Sequence, residues 1–303
     1  MNKVIVIAGP TASGKTGLGI EVAGAIGGEI ISADSMQVYK NMPIATAAPT
    51  ADEKSQAPHH LVEFLDNDKK FSVARWCALA KEKIDDIISR GKVPIVVGGT
   101  GLFIDSLVDN ISFEDVEVDE DLRQSLMKRD VDSLYDELLR VDKKADENIH
   151  KNNKKRVVRA LELHYLGSSK TEQNENSQKE KSPYDFLYFV LQYENRQTLY
   201  DRINLRVDKM LENGLLDEAR AMQGKCQKTC AQAIGHKELA RYLNGEASLE
   251  ECAQKLKQES RRYAKRQITW FKRRQGAVFI SMDKLKGSAV KTVIDKCEDF
   301  LNG

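Results

Sequence analysis

The chain has 303 residues, 41% of them hydrophobic and 31% charged, with a formal net charge of +1. That balance is ordinary for a soluble globular protein and leaves room for one large domain or two. No apolar run reaches membrane-spanning length and no apolar signal segment precedes the first motif, so a membrane protein is excluded and the expected compartment is the cytoplasm. In chain order, the apolar run Val4-Ile5-Val6-Ile7 predicts a strand. Gly9-Pro10-Thr11-Ala12-Ser13-Gly14-Lys15-Thr16 follows it almost without a gap, and a helix is predicted from Thr16 to Ala25. This is a phosphate-binding loop in its proper setting, strand before and helix after. Glycines let backbone N–H groups curl around an anion, Lys15 adds a point charge, and the Thr16 hydroxyl is placed to meet Mg²⁺. The motif leaves open which phosphate binds and whether a phosphoryl group moves.

Glu29 to Ala33 predicts a second strand ending at Asp34. Ser72 reads as the N-cap of a helix running through Arg90, with Gly91 as its C-terminal stop. Val93 to Val97 is a continuous apolar strand leading into Gly98-Gly99-Thr100-Gly101. Short apolar strands alternating with helices imply an α/β fold with a parallel sheet covered on both faces. Ligands bind such sheets at the carboxyl ends of the strands, so the phosphate loop, Asp34 and Thr100 are expected in one cleft. From about residue 114 the texture becomes helical and charged, with helical spacing from Asp119 to Leu139 and again from Arg156 to Leu166. Residues 168–182 are polar and read as a loop, and Phe186 to Leu191 returns as a strand. Residues 114–184 are therefore expected to be a mainly helical insertion between two parts of the core, 1–113 and 185–303. Beyond Arg196 the chain reads as helical. No repeat, heptad or apolar stripe argues for an oligomer, so a monomer is expected.

Two further features bear on chemistry. Lys255 to Arg274 carries +8, with Glu259 its only acid, leaving −7 for the remainder. A helix there places Arg262 and Arg266 on a basic face suited to a polyanion, with Tyr263, Gln267, Trp270 and Phe271 towards the core. The strand after the loop that most resembles a metal-positioning strand ends in Gly98-Gly99-Thr100 without a carboxylate, which speaks against an ordinary nucleotide hydrolase or kinase. Asp34 is the acid at a strand end near the loop, and either Mg²⁺ binding or proton abstraction suits it. The five cysteines are scattered and odd in number, and they read as free thiols. Cys226, Cys230 and His236 match no common zinc spacing and lack a fourth ligand. His59-His60 reads as structural, in a loop, with a catalytic pair as the alternative.

These segments together resemble the tRNA dimethylallyltransferases (tRNA isopentenyltransferases) of bacterial type, without the zinc-finger tail of some eukaryotic members. The resemblance is carried by GPTASGKT at 9–16, ISADSMQVYKNMPIATAAP at 31–49, PHHLVEF at 58–64 and PIVVGGTGLF at 94–103. It continues through KRVVRALEL at 155–163, LYDRINLRVDKML at 199–211, QAIGHKEL at 232–239 and YAKRQITWF at 263–271. It implies a P-loop NTPase-like core and transfer of a dimethylallyl group from dimethylallyl diphosphate to N6 of the adenosine 3′ to the anticodon, in tRNAs reading codons that begin with U. The loop, Gly9 to Thr16, would hold the diphosphate with Mg²⁺ at Thr16, and Arg206 would assist. Asp34 would be the general base, Thr100 would position the amine or the diphosphate, and Lys15 would stabilise the leaving group.

The resemblance also implies that Ser35, Met36 and Gln37, with Asp34 and Thr100, contact a flipped base. Lys155, Arg156, Val157, Val158 and Arg159 would meet the anticodon arm, as would Gln232, Ala233, Ile234, Gly235, His236 and Lys237. Arg123 would lie near the RNA. The chain departs from the family pattern at Ala45 (usually glycine), Ala48 (lysine), Phe103 (tyrosine) and His236 (tyrosine). A prenyltransferase of free adenine nucleotides is the nearest alternative, since it needs the loop and Asp34 but not the basic helix. A P-loop kinase is a more distant one.

Overall fold

The computed structural model describes residues 2–113, 119–147, 149–167, 181–226 and 229–303. A six-stranded parallel sheet organises it, with β1 (Asn2–Ala8), β2 (Gly28–Ala33), β3 (His59–His60), β4 (Val93–Gly98), β5 (Tyr184–Gln192) and β6 (Val278–Ser281). The spatial order is β3-β2-β4-β1-β5-β6, and every pairing is parallel. Val6 lies opposite Val96 on one side and Tyr188 on the other. Residues Val4 to Ala8 are wholly buried, which is why β1 reads as an unbroken apolar run rather than an alternation.

Between β1 and β5 run α1 (Lys15–Ile26), α2 (Pro43–Thr46), α3 (Ala51–Gln56), α4 (Val73–Ser89), α5 (Gly101–Val108), α6 (Glu120–Lys128), α7 (Val131–Val141) and α8 (Lys154–Tyr165). After β5 come α9 (Arg196–Glu212), α10 (Leu215–Met222), α11 (His236–Leu243), α12 (Leu249–Phe271), α13 (Met282–Leu285) and α14 (Ala289–Asn302). The Ser72 cap is in place, its side chain accepting from the Arg75 N–H. Helix α4 packs Trp76 beneath the sheet, where its ring stacks on Phe103 at 4.9 Å and its indole N–H donates to the Ser32 carbonyl at 3.0 Å. Phenylalanine at 103 is thus a core residue. No helix among the described residues is long and apolar enough to cross a membrane.

Four details differ from the sequence reading. His59-His60 forms an edge strand against Ile30 and Ile31 rather than a loop. Strand β6 interrupts the region read as wholly helical, and its four residues are too few to impose a pattern on helical flanks. The stretch from Asp119 to Leu139 is two helices, because the Asp130 carboxylate accepts from the Asp132 and Ser133 N–H groups and starts a new one. Cys226 and Cys230 are joined by a disulfide, their Cα atoms 5.2 Å apart, while Cys77, Cys252 and Cys297 are buried free thiols.

The chain divides into two compact units: Met1–Val108 with Pro183–Gly303, and Asp109–Ser182. The insertion was expected at 114–184, whereas the smaller unit spans Asp109–Ser182; residues 114–118 and the greater part of the polar stretch, 168–180, lie outside the described residues. In the smaller unit α6, α7 and α8 close on Leu126, Leu134, Leu138, Val157, Val158 and Leu161.

Candidate functional site

Three neighbouring strands, β1, β4 and β2, deliver their carboxyl ends to one cavity of about 310 Å³ in the larger unit. The loop after β1 turns into α1 through Gly14 at φ 93°, a backbone conformation that favours glycine. Thr11, Lys15 and Thr16 line the cavity. Lys15 folds back over its own loop and donates to the Pro10 carbonyl at 2.7 Å. Burial, and then the neighbouring Arg206, pull its ammonium down to about 7, while Asp34 opposes them. Arg206 reaches across from α9 to donate to the Thr11 hydroxyl at 2.7 Å, and it lines the same wall. Four residues earlier on that helix, Arg202 donates to the Ala12 carbonyl at 2.9 Å. An anion entering here meets Arg206 and favours the protonated form of Lys15, in a buried setting where charge attraction is little screened.

Asp34 closes β2. Its Oδ1 accepts from the N–H groups of Met36 (2.8 Å) and Gln37 (3.3 Å), which fixes the carboxylate in the cavity wall. Thr100 holds the same turn from β4. Its hydroxyl accepts from the Ser35 N–H at 3.0 Å and lies 3.4 Å from the Ser35 hydroxyl. Thr100 thus braces Ser35 beside the cavity. Helix α12 seals this side. The Gln267 carboxamide accepts from the Thr11 N–H and donates to the Gly99 carbonyl, both at 2.8 Å, tying the phosphate loop to the β4 turn. A Cβ at position 99 would sit 2.3 Å from the Gln267 nitrogen, so a side chain there would displace this carboxamide. One turn earlier Tyr263 lines the cavity; burial and the Asp34 carboxylate push its phenol up, the Thr100 hydroxyl opposing.

An apolar stretch of the wall is built by Ile203, Val207 and Met210 of α9, Leu256 of α12, and Ala45, Ala233 and Ile234, with Ser32, Thr46, His59, Gln232 and Ser260 lining the cavity too. A cavity with a cationic end, one carboxylate and an apolar wall suits an anion that carries a hydrocarbon group and meets a proton-losing partner.

The predicted residues distribute as follows. Asp34, Ser35, Met36, Gln37, Lys15, Thr16, Thr11 and Arg206 come together. Ser13 is wholly buried within the loop. In the smaller unit Lys155 and Arg156 are exposed, but Val157 and Val158 are core residues facing away from solvent. Arg123 and Arg159 are committed to the buried Glu162: Arg123 donates to it at 2.5 and 2.8 Å, Arg159 at 3.1 Å. A buried carboxylate demands such partners, and both arginine side chains remain partly exposed, at 36% and 37%. Gln232, Ala233 and Ile234 line the cavity and Lys237 is exposed, whereas Gly235 and His236 are buried. His236 bonds to Glu218 at 2.8 Å.

The basic helix is less bare than its sequence implied. Acids from other elements reach it, with Asp208 on Lys257 at 2.6 Å and Asp105 near Arg274 at 3.9 Å. Arg262 pairs with Glu259 at 2.7 Å. Arg266 lies over the Tyr263 ring and lines the cavity. Phe271 is core, but Trp270 is partly exposed, its indole N–H donating to Asp105 at 2.6 Å. The sequence reading missed Arg202, Tyr263 and Gln267 as parts of the site. Helical spacing would have found them, since Arg202 shares a face with Arg206, and Tyr263 with Gln267.

Comparison with known proteins bears on this arrangement. Residues 37–274 match the family model described as IPP transferase, and residues 2–67 match one described as isopentenyl transferase. A tRNA dimethylallyltransferase of Acetivibrio thermocellus is 46% identical, over 94% of this chain and 93% of its own. One of Halalkalibacterium halodurans is 44% identical, over 92% and 91%. Among solved structures, a tRNA isopentenylpyrophosphate transferase of Bacillus halodurans superimposes with a TM-score of 0.75 at 40% identity, covering all of this chain and 97% of that one. A eukaryotic dimethylallyltransferase acting on tRNA gives 0.84 at 32% identity, covering all of this chain and 80% of that one.

Proposed function

This chain belongs to the IPP transferase family, and from that premise we propose how its cavity prenylates tRNA. The donor is dimethylallyl diphosphate and the acceptor is N6 of the adenosine 3′ to the anticodon, in tRNAs reading codons that begin with U. The observation that carries this reading is the convergence of Lys15, Arg206 and Asp34 on one cavity that also has an apolar stretch of wall. The diphosphate lies against Lys15, Arg206 and the loop, and the dimethylallyl group against Val207, Met210 and Leu256. The N6 lone pair forms a bond to C1 of the allyl group as the C1–O bond breaks, and its electrons leave with the diphosphate. Lys15 and Arg206 neutralise charge growing on that leaving group. Asp34 takes the proton that N6 loses. No phosphoryl group is transferred.

Thr16 offers one hydroxyl oxygen, and no group of three acids, histidines or thiols gathers among the described residues. This donor set suits Mg²⁺, which keeps several waters and takes most of its remaining ligands from substrate phosphates. When bound, Mg²⁺ adds positive charge at the leaving diphosphate.

An adenosine stacked in an anticodon loop must swing out to reach Asp34, and Ser35, Met36 and Gln37 meet it there. Lys155, Arg156, Lys237 and Arg266, all exposed, serve as contacts to the RNA backbone. The test is incubation of the protein with Mg²⁺, labelled dimethylallyl diphosphate and either unmodified tRNA or AMP. Label on tRNA alone is expected. Label on AMP and none on tRNA would move the activity to free nucleotides.

A further inference from the structure

A buried carboxylate that this chemistry does not use stands behind the base contact. Glu218, in α10, is 8% exposed at its side chain. Its Oε2 accepts from the Ile44 N–H at 2.7 Å, and its Oε1 accepts from the Ala45 N–H at 3.0 Å and from His236 Nε2 at 2.8 Å. A carboxylate only accepts, so three N–H donors match it without conflict, and the proton on His236 lies at Nε2. The two amides belong to α2, and the chain just beyond them carries the next link. The Thr46 and Ala47 carbonyls accept from Gln37 Nε2 at 3.4 and 2.9 Å, and Gln37 Oε1 pairs with the Ser32 hydroxyl at 2.8 Å. The Gln37 amide nitrogen is therefore committed to backbone, which sets the orientation of the carboxamide. What remains for a ligand is the oxygen's second lone pair, an acceptor that suits an amine N–H.

We propose that Glu218 is a positioning residue for the acceptor base: by holding α2 it keeps Gln37 turned with its oxygen towards the base's exocyclic amine. His236 shares the load as the third donor, its neighbours Ala233 and Ile234 forming wall on the same side. Ala45 fits the arrangement, because its methyl group joins Leu215 and Leu239 in the apolar cluster under α10 and α11. The proposal rests on the reading of the cavity as a tRNA-prenylating site.

The test is steady-state transfer to unmodified tRNA, with binding of inorganic diphosphate measured calorimetrically in parallel. Glu218→Gln sets an N–H against an N–H. It is expected to lower kcat/KM for tRNA about ten-fold, the equivalent of one lost hydrogen bond to a charged group, and to leave diphosphate affinity unchanged. His236→Leu removes one donor and gives a smaller loss in the same direction, while His236→Gln keeps a donor and restores it. Wild-type kcat/KM for tRNA in folded Glu218→Gln, or an equal loss of diphosphate affinity, overturns the proposal. Should that variant not fold, the histidine pair decides: equal kcat/KM for tRNA in His236→Leu and His236→Gln overturns it. Wild-type protein that does not label tRNA overturns the underlying reading and this proposal with it, whereas labelled wild type with unchanged variants overturns the proposal alone.

Discussion

The two ends of the cavity are made differently. The phosphate end is local at its centre: residues 9–16 form the loop and Lys15 is held by a carbonyl five residues away, while Arg206 and Gln267 reach it from α9 and α12. The base end is assembled from distant pieces. Gln37 hangs on the carbonyls of 46 and 47, these on an α2 held by Glu218 far along the chain, and Glu218 in turn on His236. A loop whose curl comes from its own backbone tolerates change at its distant braces better than an end made wholly of such braces. An assembled site transmits a distant substitution to the ligand, because each link has few alternatives.

Substitutions at the two ends should therefore separate donor handling from acceptor handling. Asp34 stands between them and has the largest expected effect. Asp34→Ala slows transfer by roughly 10²- to 10⁴-fold, as loss of a general base does, with both substrates still bound. Normal single-turnover rates in that variant would remove Asp34 from the chemistry. At the donor end, Lys15→Met lowers kcat/KM about 10²- to 10³-fold through the lost charge on the leaving group, with tRNA affinity unchanged in a gel-shift titration. Gln267→Leu orphans the Thr11 N–H and the Gly99 carbonyl, and costs about 1–3 kcal/mol for each buried group left unpaired, readable in urea denaturation.

Smaller effects test the RNA face. Arg266→Ala reduces the salt slope of tRNA binding by about one, and Arg262→Ala by less because Glu259 already holds it. An unchanged slope in the double variant would make this helix face a solvated surface. Glu29, at the opposite end of β2 from Asp34, supplies the control without a cavity. It too pairs with a histidine, His60, at 2.7 Å, but Arg90 also binds it. The Arg90 hydrogen bonds, helped by His60 and opposed by burial, hold its carboxyl down to about 2. A depressed carboxylate stabilises the fold above its ordinary value of 4.5 and loses that contribution as pH falls towards 2. The stability gap between wild type and Arg90→Met should thus be widest at neutral pH and close below about pH 4.5, with tRNA kinetics unaffected.

The contrast between the ends also explains what was legible in the sequence. The strands β1, β2, β4 and β5 announce themselves because buried parallel strands are continuous apolar runs. The phosphate loop and Asp34 follow from position relative to them. The two-residue β3 and four-residue β6 carry too little pattern, and pair only because neighbouring strands offer an edge. Val157 and Val158 were grouped with the RNA surface through a motif, although their apolar side chains and helical spacing point to a core. The clustered charge of 255–274 was visible, but Asp208 and Asp105, which partly neutralise it, lie on other elements. Glu218 was invisible for the same reason: nothing in its own helix shows that Ile44, Ala45 and His236 will converge on it.

The central claim is that the loop holds a leaving diphosphate while carbon, not phosphorus, is transferred. The direct measurement is phosphate speciation alongside nucleoside analysis of digested tRNA after reaction with dimethylallyl diphosphate. One inorganic diphosphate released for each prenylated adenosine is the predicted result. Orthophosphate release, or diphosphate release without a modified adenosine, would contradict it.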